Sequence, residues 1–288
     1  MPRTPAEAPP PARRARVGPV TPHLFAPTRE RPLRAKRHFL AASSEVVPHR
    51  HPWAQVAISA RGVVRLRTPD GTVVAPATRA VWIPPDVEHA VTVLEDTELR
   101  TLYLHQRPGR PGPAAPRDEA GRWQQCRVLE VSPLLRACVL AMDTTPDGHG
   151  AAPADLAREQ RLAAVACDEL RRAPALPIGI PLPQDKRLRA LCEAILDAPA
   201  RHGTLDSAAA HAGASARTLA RLFRDELGTT FGQWRQQVLL ARALAFAAQG
   251  RSMAWIAAEL GYASASAFGA MVKKAVGQPP RRFFAREA

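Results

Sequence analysis

The sequence predicts an α+β chain of two domains, a small β-barrel or sandwich followed by an all-helical unit. Three observations carry this expectation. Six short β-type runs, at 56–59, 63–67, 73–75, 80–83, 90–93 and 99–104, crowd into one stretch. Turn signals such as Arg61-Gly62 and Pro69-Asp70-Gly71 part them. Between residues 204 and 284 two helix-turn-helix patterns follow one another. Their landmarks Ser215/Ser264, Leu219/Phe268, Phe223/Val272 and Gly228/Gly277 all lie 49 residues apart. Finally, the formal charge of +14 is partitioned: residues 1–40 carry +7, residues 201–288 another +7, and the middle sums to zero. Basic ends around a neutral middle fit a polyanion at the ends and a different task between them.

Taken in order, residues 1–37 are rich in Pro and Arg, show no hydrophobic period and are expected to be a disordered tail. Residues 38–105 form the β-domain. Residues 106–122 read as a Pro/Gly linker, and helices follow near 133–141 and 155–172. In the second of these, Asp155 is the expected cap, with Leu156, Leu162, Val165 and Leu170 on roughly one side. That stripe suits packing on the barrel or a dimer interface, and periodicity leaves both open. Residues 176–185 are a second Pro-rich connector, so 106–185 is read as linker and helices serving dimerisation. Residues 186–288 are the helical unit.

Nothing approaches the ~20 apolar residues of a membrane span, and the start lacks the apolar core of a signal peptide. Cys126, Cys138, Cys167 and Cys192 have neither metal-type nor redox spacing and read as reduced, mostly buried thiols. Both points agree with a cytoplasmic protein.

In the first helix-turn-helix, Arg217, Arg221 and Arg224 fall at i, i+4 and i+7, away from Leu219, Leu222 and Phe223. Behind a Ser215 cap, such a face suits a recognition helix in a major groove, where guanidinium forks onto guanine or clamps phosphate. An isolated basic helix would more simply be a solvated face; the flanking turn pattern and the charge partition argue otherwise. The corresponding face of the second unit holds Ser266, Ala270 and Lys273, with Gly269 beside them. Close docking with little base reading is expected there. The expected DNA contacts are Ser215, Arg217, Thr218, Arg221 and Arg224 in the first unit, and Ser264, Ser266, Lys273 and Lys274 in the second. A helix from Phe231 to about Gln249 would span ~28 Å, comparable to the ~34 Å between successive major-groove faces.

These residues resemble a known family. Gln233-Trp234-Arg235, Leu240-Ala241-Arg242-Ala243-Leu244, the run Ile256-Ala257-Ala258-Glu259-Leu260-Gly261-Tyr262 and the run Gly277-Gln278-Pro279-Pro280-Arg281-Arg282-Phe283 look like the DNA-binding domain of AraC/XylS-type transcriptional regulators. Leu239 stands where that family often has arginine, Ala265 where it often has proline, and Gly269-Ala270 where it is usually more polar. The resemblance implies double-stranded promoter DNA, a small-molecule effector, RNA polymerase and a second copy of the chain as partners.

In the β-domain, His49, His51 and Gln55 are spaced so that on one strand their side chains would point the same way. Pro84-Pro85-Asp86-Val87-Glu88-His89 brings a third histidine. The set is similar to the two motifs of cupin barrels, with Gln55 for the usual glutamate and Asp86 for glycine. Residues 51–104 look like the sensor of a cupin-type subgroup of that family that includes regulators of efflux transporters. By analogy the target would be a neighbouring transporter or stress gene. His49, His51 and His89 could hold Zn²⁺, Fe²⁺ or Ni²⁺, with Gln55 as fourth ligand. Alternatively, and favoured by the missing carboxylate, they hydrogen-bond one another in a metal-free effector pocket. Trp53, Trp82 and Tyr103 complete the expected lining, with core packing as the competing role for each. A rival from another class is a metal-dependent cupin enzyme fused to a DNA-binding domain, which would use the same three histidines.

Overall fold

A computed structural model describes residues 15–18, 22–42, 44–61, 63–69, 71–76, 79–93, 96–107, 112–113, 121–148, 156–176, 179–199 and 202–284. In chain order the β-domain runs β1 (Ala15–Val17), a 3₁₀ turn (Pro22–Phe25), β2 (Leu33–Leu40), β3 (Ser44–His49), β4 (Ala54–Arg61), β5 (Val63–Thr68) and β6 (Gly71–Pro76). It continues with β7 (Arg79–Ile83), β8 (His89–Val93), β9 (Thr97–Leu104) and β10 (Arg127–Glu130). Helices α1 (Pro133–Ala141) and α2 (Leu156–Arg172) follow, then β11 (Ala175–Leu176) and β12 (Ile180–Pro181).

Two six-stranded sheets result, ordered β1-β3-β8-β5-β6-β12 and β11-β10-β7-β4-β9-β2. Strand alternation sorts the side chains into three layers. Ala57, Val81, Val64, Leu66, Val91 and Val93 fill the space between the sheets. On the outer face of the second sheet, Val56, Ile58, Trp82 and Leu102 pack against Leu135 and Val139 of α1 and Ala163, Ala166 and Leu170 of α2. On the outer face of the first, Val63 and Val74 meet the helical domain.

All six β-type runs lie inside observed strands, but the expected boundaries are too narrow. The tail read as disordered to residue 37 contributes β1, the 3₁₀ turn and most of β2. β2 pairs with β9 along its whole length, from Leu33↔Leu104 to Leu40↔Thr97. Residues 1–14 lie outside the described residues. The stretch read as linker and connector likewise supplies strands: β10 pairs with β7, and β12 with β6. Most of 106–122, and the Asp155 cap, lie outside the described residues. The expected apolar stripe on α2 is met in part: Leu170 is buried and Leu162 packs against the same core, joined by Ala163 and Ala166, whereas Val165 is exposed.

The helical domain comprises α3 (Lys186–Asp197), α4 (Leu205–His211), α5 (Ala216–Leu227), α6 (Phe231–Ala248), α7 (Met253–Glu259), α8 (Ala265–Val276) and α9 (Pro280–Phe283). Capping follows the sequence closely. Ser215 accepts from the Thr218 amide at the start of α5, and Ser264 from the Ala267 amide at the start of α8. Gly228 (φ 61°) and Gly277 (φ 72°) close those helices in the left-handed region. Thr230 and Gln233 form a capping box that starts α6. Leu219 and Phe223 of α5, and Phe268 and Val272 of α8, are buried against the other helices.

The two domains dock through α6, which lies on the outer face of β6 and β12. Trp234 donates its indole N–H to the Pro181 carbonyl at 2.7 Å. Arg65 of β5 reaches Asp197 at 2.8 Å and the Leu196 carbonyl at 3.3 Å. At the far end, Arg79 of β7 donates to the Phe283 carbonyl of α9 at 3.2 Å. No helix among the described residues is long and apolar enough to cross a membrane.

Candidate functional site

The histidine cluster is assembled differently from its expected form. His49 ends β3, His51 lies in the following connection, and Gln55 belongs to β4, so the three do not share a strand. Pro48 lacks a ladder N–H, and the β3–β8 register shifts between Val46 and His49 before His49 pairs with His89. That irregularity carries His49 against His89, with ring centroids 4.3 Å apart. The turn leading to His89 contains Asp86 at φ 61°, left-handed although it is not glycine. Its amide donates to the His51 carbonyl at 2.9 Å and ties the two histidine-bearing connections together. One ligand atom from each of His49, His51 and His89 lies within 4.8 Å of the others.

Hydrogen bonding sets the tautomers. The Nδ1 atoms of His49, His51 and His89 sit 2.9, 2.7 and 2.9 Å from the carbonyls of Val47, Trp53 and Val87. A carbonyl only accepts, so each Nδ1 carries a proton, and the neutral rings of His49 and His89 offer a lone pair at Nε2. His89 Nε2 is buried with no hydrogen-bond partner. His51 Nε2 lies 2.8 Å from Gln55 Oε1. That contact needs a proton, carried either by His51 Nε2 or by the Gln55 amide turned N–H₂ first. Burial pushes His89 down to about 3 and lowers His49 as well, so both stay neutral bases. The donor set therefore fits a borderline divalent ion in ligand type. The nitrogens would have to draw in from 4.8 Å to about 3.4 Å for tetrahedral bonds of about 2.1 Å.

Beside the cluster, between the sheets, lies a cavity of about 460 Å³ with its open mouth included. Of the seven expected effector contacts, His49, Gln55 and Tyr103 line it. His51 adjoins through Gln55, and His89 through His49. Trp53 stacks flat on His51, centroids 5.3 Å apart, with Tyr103 edge-on to both. Trp82 is not part of the site. It is fully buried on the opposite face of its sheet, edge-on to Trp123, and donates to the Trp123 carbonyl at 2.9 Å. Strand alternation explains the correction: Gln55 and Trp82 sit on adjacent strands, but Val81 and Ile83 take the inward positions of β7.

The sequence reading missed Lys36 and His38, which line the cavity from β2 with Leu40. The run Lys36-Arg37-His38-Phe39-Leu40 does alternate, and that period was the available signal. Lys36 is only 8 % exposed. Burial lowers it to about 8.

On the helical domain, Arg217, Arg221 and Arg224 are exposed along α5 as their spacing required. Arg221 is held loosely by Asp225 at 3.4 Å, a solvent-exposed pair of about 0.3–0.5 kcal/mol that DNA can displace. Arg224 lines a cleft with Arg235 and the start of α6. The Ser215 and Ser264 hydroxyl oxygens accept cap hydrogen bonds, and the Ser215 hydroxyl also lies 2.9 Å from the Thr218 hydroxyl. Ser264 thus has its hydroxyl proton to offer a phosphate. Ser266, Ala270, Lys273 and Lys274 are exposed on α8. At Gly269 a Cβ would sit 3.4 Å from the Pro280 side chain, an ordinary contact.

Comparison with known proteins agrees with both halves of this geometry. The helix-turn-helix domain family matches residues 208–286, and the AraC-like ligand binding domain family matches residues 41–166. The HTH-type transcriptional regulator NimR of Escherichia coli K12 is 32 % identical over 238 residues, 83 % of this chain and 82 % of that protein. The HTH-type transcriptional regulator RipA of Corynebacterium glutamicum is 30 % identical over 103 residues, covering 36 % of this chain and 31 % of that protein. Among solved structures, ToxT from Vibrio cholerae aligns over 88 % of this chain and 98 % of its own at 8 % identity, with a TM-score of 0.35.

Proposed function

This chain belongs to the AraC family of transcriptional regulators, and from that premise we propose how its parts divide the work. The cavity between the sheets is the effector site, lined by His49, Gln55 and Tyr103, with His51, His89 and Trp53 behind them. The arginine face of α5 reads bases, while α8 docks on the backbone through Ser264, Ser266, Lys273 and Lys274. One observation carries the coupling. The sheet whose inner face lines the cavity with Val46, His49 and Val91 bears on its outer face α6, the helix that joins the two reading units. An effector that favours one packing of this sheet shifts the population of α6 positions, and with it the spacing of α5 and α8.

The exposed Leu134 and Leu140 of α1 and Val165 of α2 support a homodimer through these helices. A cytoplasmic location, a contact with RNA polymerase and control of a neighbouring transporter gene complete the reading. The carrying test is fluorescence anisotropy on an operator selected from random DNA by the full chain. The variant with Arg217, Arg221 and Arg224 all changed to Ala should lose both affinity and discrimination against random DNA. Retention of both by a folded variant sinks the assignment of α5.

The clustering of His49, His51 and His89, with one ring nitrogen of each within 4.8 Å of the others, favours one second reading, a divalent zinc, iron or nickel ion on these three with Gln55 as fourth ligand. Such an ion would supply a Lewis-acidic anchor at the cavity wall. Zinc should then raise the melting temperature of the wild-type chain, and His89→Ala should abolish that rise. An equal rise in the variant dismisses the ion. Turnover assays on metal-loaded protein would separate a sensor from a cupin enzyme sharing the same ligands.

A further inference from the structure

We propose that the cleft between α5 and the starts of α4 and α6 seats a phosphate of the DNA backbone, with Arg224 and Arg235 as its cations. This rests on the reading of α5 as the groove helix of the first unit, and it divides that helix's arginines. Arg217 and Arg221 face bases, and Arg224 faces the backbone.

Position along α5 makes the division. Arg217 is the second residue of the helix, Arg221 the sixth and Arg224 the ninth of twelve. At 1.5 Å per residue, Arg224 lies about 10 Å further along the axis than Arg217. A groove helix touches base edges with its N-terminal residues, so the far end of the ridge runs out toward a sugar-phosphate rail. The surroundings differ as well. Arg221 pairs with Asp225, whereas Arg224 has no carboxylate partner among the described residues. It lines the cleft instead, with Thr204 at the start of α4 and with Gly232 and Arg235 in the first turns of α6.

The cleft has one sign of charge. No Asp or Glu lines it; Asp206 stands in the first turn of α4 but outside the lining. Arg235 Nη2 donates to the Pro199 carbonyl at 3.2 Å, which holds the guanidinium in place. Arg235 likewise has no carboxylate partner among the described residues. Burial lowers it, yet a guanidinium keeps its proton at neutral pH. Two guanidinium groups, one on α5 and one on α6, thus meet at a cleft that carries no counter-charge. A phosphate oxygen supplies that charge through charge-assisted hydrogen bonds. The approach is open, since a Cβ on exposed Gly232 would meet nothing within 4 Å. Arg224 belongs both to the ridge and to the cleft, so a duplex lying along α5 brings its own phosphates to this place.

Gly232 gives a test that spares both arginines. Aspartate suits the second position of a helix and has room there, so Gly232→Asp should fold while placing a negative charge in the cleft. Gly232→Ala fills the same space without charge. Anisotropy titrations of the full chain across a salt series use the selected operator and random DNA of equal length, and thermal melts check folding. Gly232→Asp should bind both DNAs about tenfold more weakly than Gly232→Ala, with the ratio of the two affinities unchanged. Arg224→Gln and Arg235→Gln should each weaken both DNAs alike and lower the salt slope by about 1. If Gly232→Asp matches Gly232→Ala on both DNAs, the proposal is overturned. A loss in either Gln variant that falls on the operator and spares random DNA overturns it too. The Arg217→Ala, Arg221→Ala double variant keeps the two readings apart. Discrimination retained by that variant removes α5 as the reader, while uniform losses from the Gly232→Asp and Gln variants still sustain the phosphate seat.

Discussion

Lys36→Met is expected to make the ligand-free protein more stable. The unfolded lysine keeps its proton until about 10.5, whereas burial lowers the folded value to about 8. At about 1.4 kcal/mol per tenfold change, that difference is a folding penalty of at most about 3 kcal/mol. Replacing the ammonium by a thioether removes the penalty and also removes the cation–π contact with Phe25 at 5.8 Å, a loss of about 0.5–1 kcal/mol. A net gain of at most about 2–2.5 kcal/mol remains. The penalty is fully present below pH 8, where folded and unfolded chains both hold the proton. Between about 8 and 10.5 the unfolded chain binds more protons, so wild-type stability climbs relative to the variant. Above 10.5 the penalty is gone. Urea denaturation of both proteins at pH 7 and pH 10.5 reads this directly, and Tyr103, pushed above its usual value, stays neutral throughout. The variant should be more stable at pH 7, with the gap closing at 10.5. A less stable variant at pH 7, or a gap independent of pH, refutes the placement of a buried charge in the cavity.

Other positions give sharp expectations. Asp86, left-handed at φ 61°, should accept glycine with a gain of up to about 1 kcal/mol and lose about 1–2 kcal/mol as valine, read from urea midpoints. Trp82→Phe strands the Trp123 carbonyl and should cost about 1–3 kcal/mol. Calorimetric affinity for whatever occupies the cavity should stay unchanged; a large loss would return Trp82 to the lining. Arg221→Ala should cost about 1–3 kcal/mol on a selected operator and little on random DNA, whereas Lys273→Ala should weaken both alike and lower the salt slope by about 1 in anisotropy titrations.

Much of this molecule was legible locally. The caps at Ser215 and Ser264, the left-handed closures at Gly228 and Gly277 and the exposed arginine ridge of α5 depend on residues three to seven apart, so spacing alone specifies them. The six strands at the centre of the sheets were likewise visible, because each has its own alternation and turn signals. The motif substitution at Asp86 proved consistent as well: aspartate tolerates the left-handed backbone that glycine would otherwise supply.

What spacing could not decide is which face of an element meets which partner. Trp82 and Gln55 look equivalent in a list of polar and aromatic candidates, yet one anchors the sheet to α1 and α2 while the other lines the cavity. His49 and His51 meet through an irregular β3–β8 pairing and a connection pinned by Asp86, not through strand period. Lys36 lay in a run that composition marked as tail. Its role appears only when β2 pairs with β9, eight residues against eight, because a long-range ladder is what turns alternate side chains into an inner and an outer surface. The sequence by itself determined a DNA-binding chain with a sheet domain and two helix-turn-helix units. Only the tertiary structure decided that the cavity between the sheets carries a buried lysine, since burial belongs to the packing of distant segments and not to any stretch of residues alone.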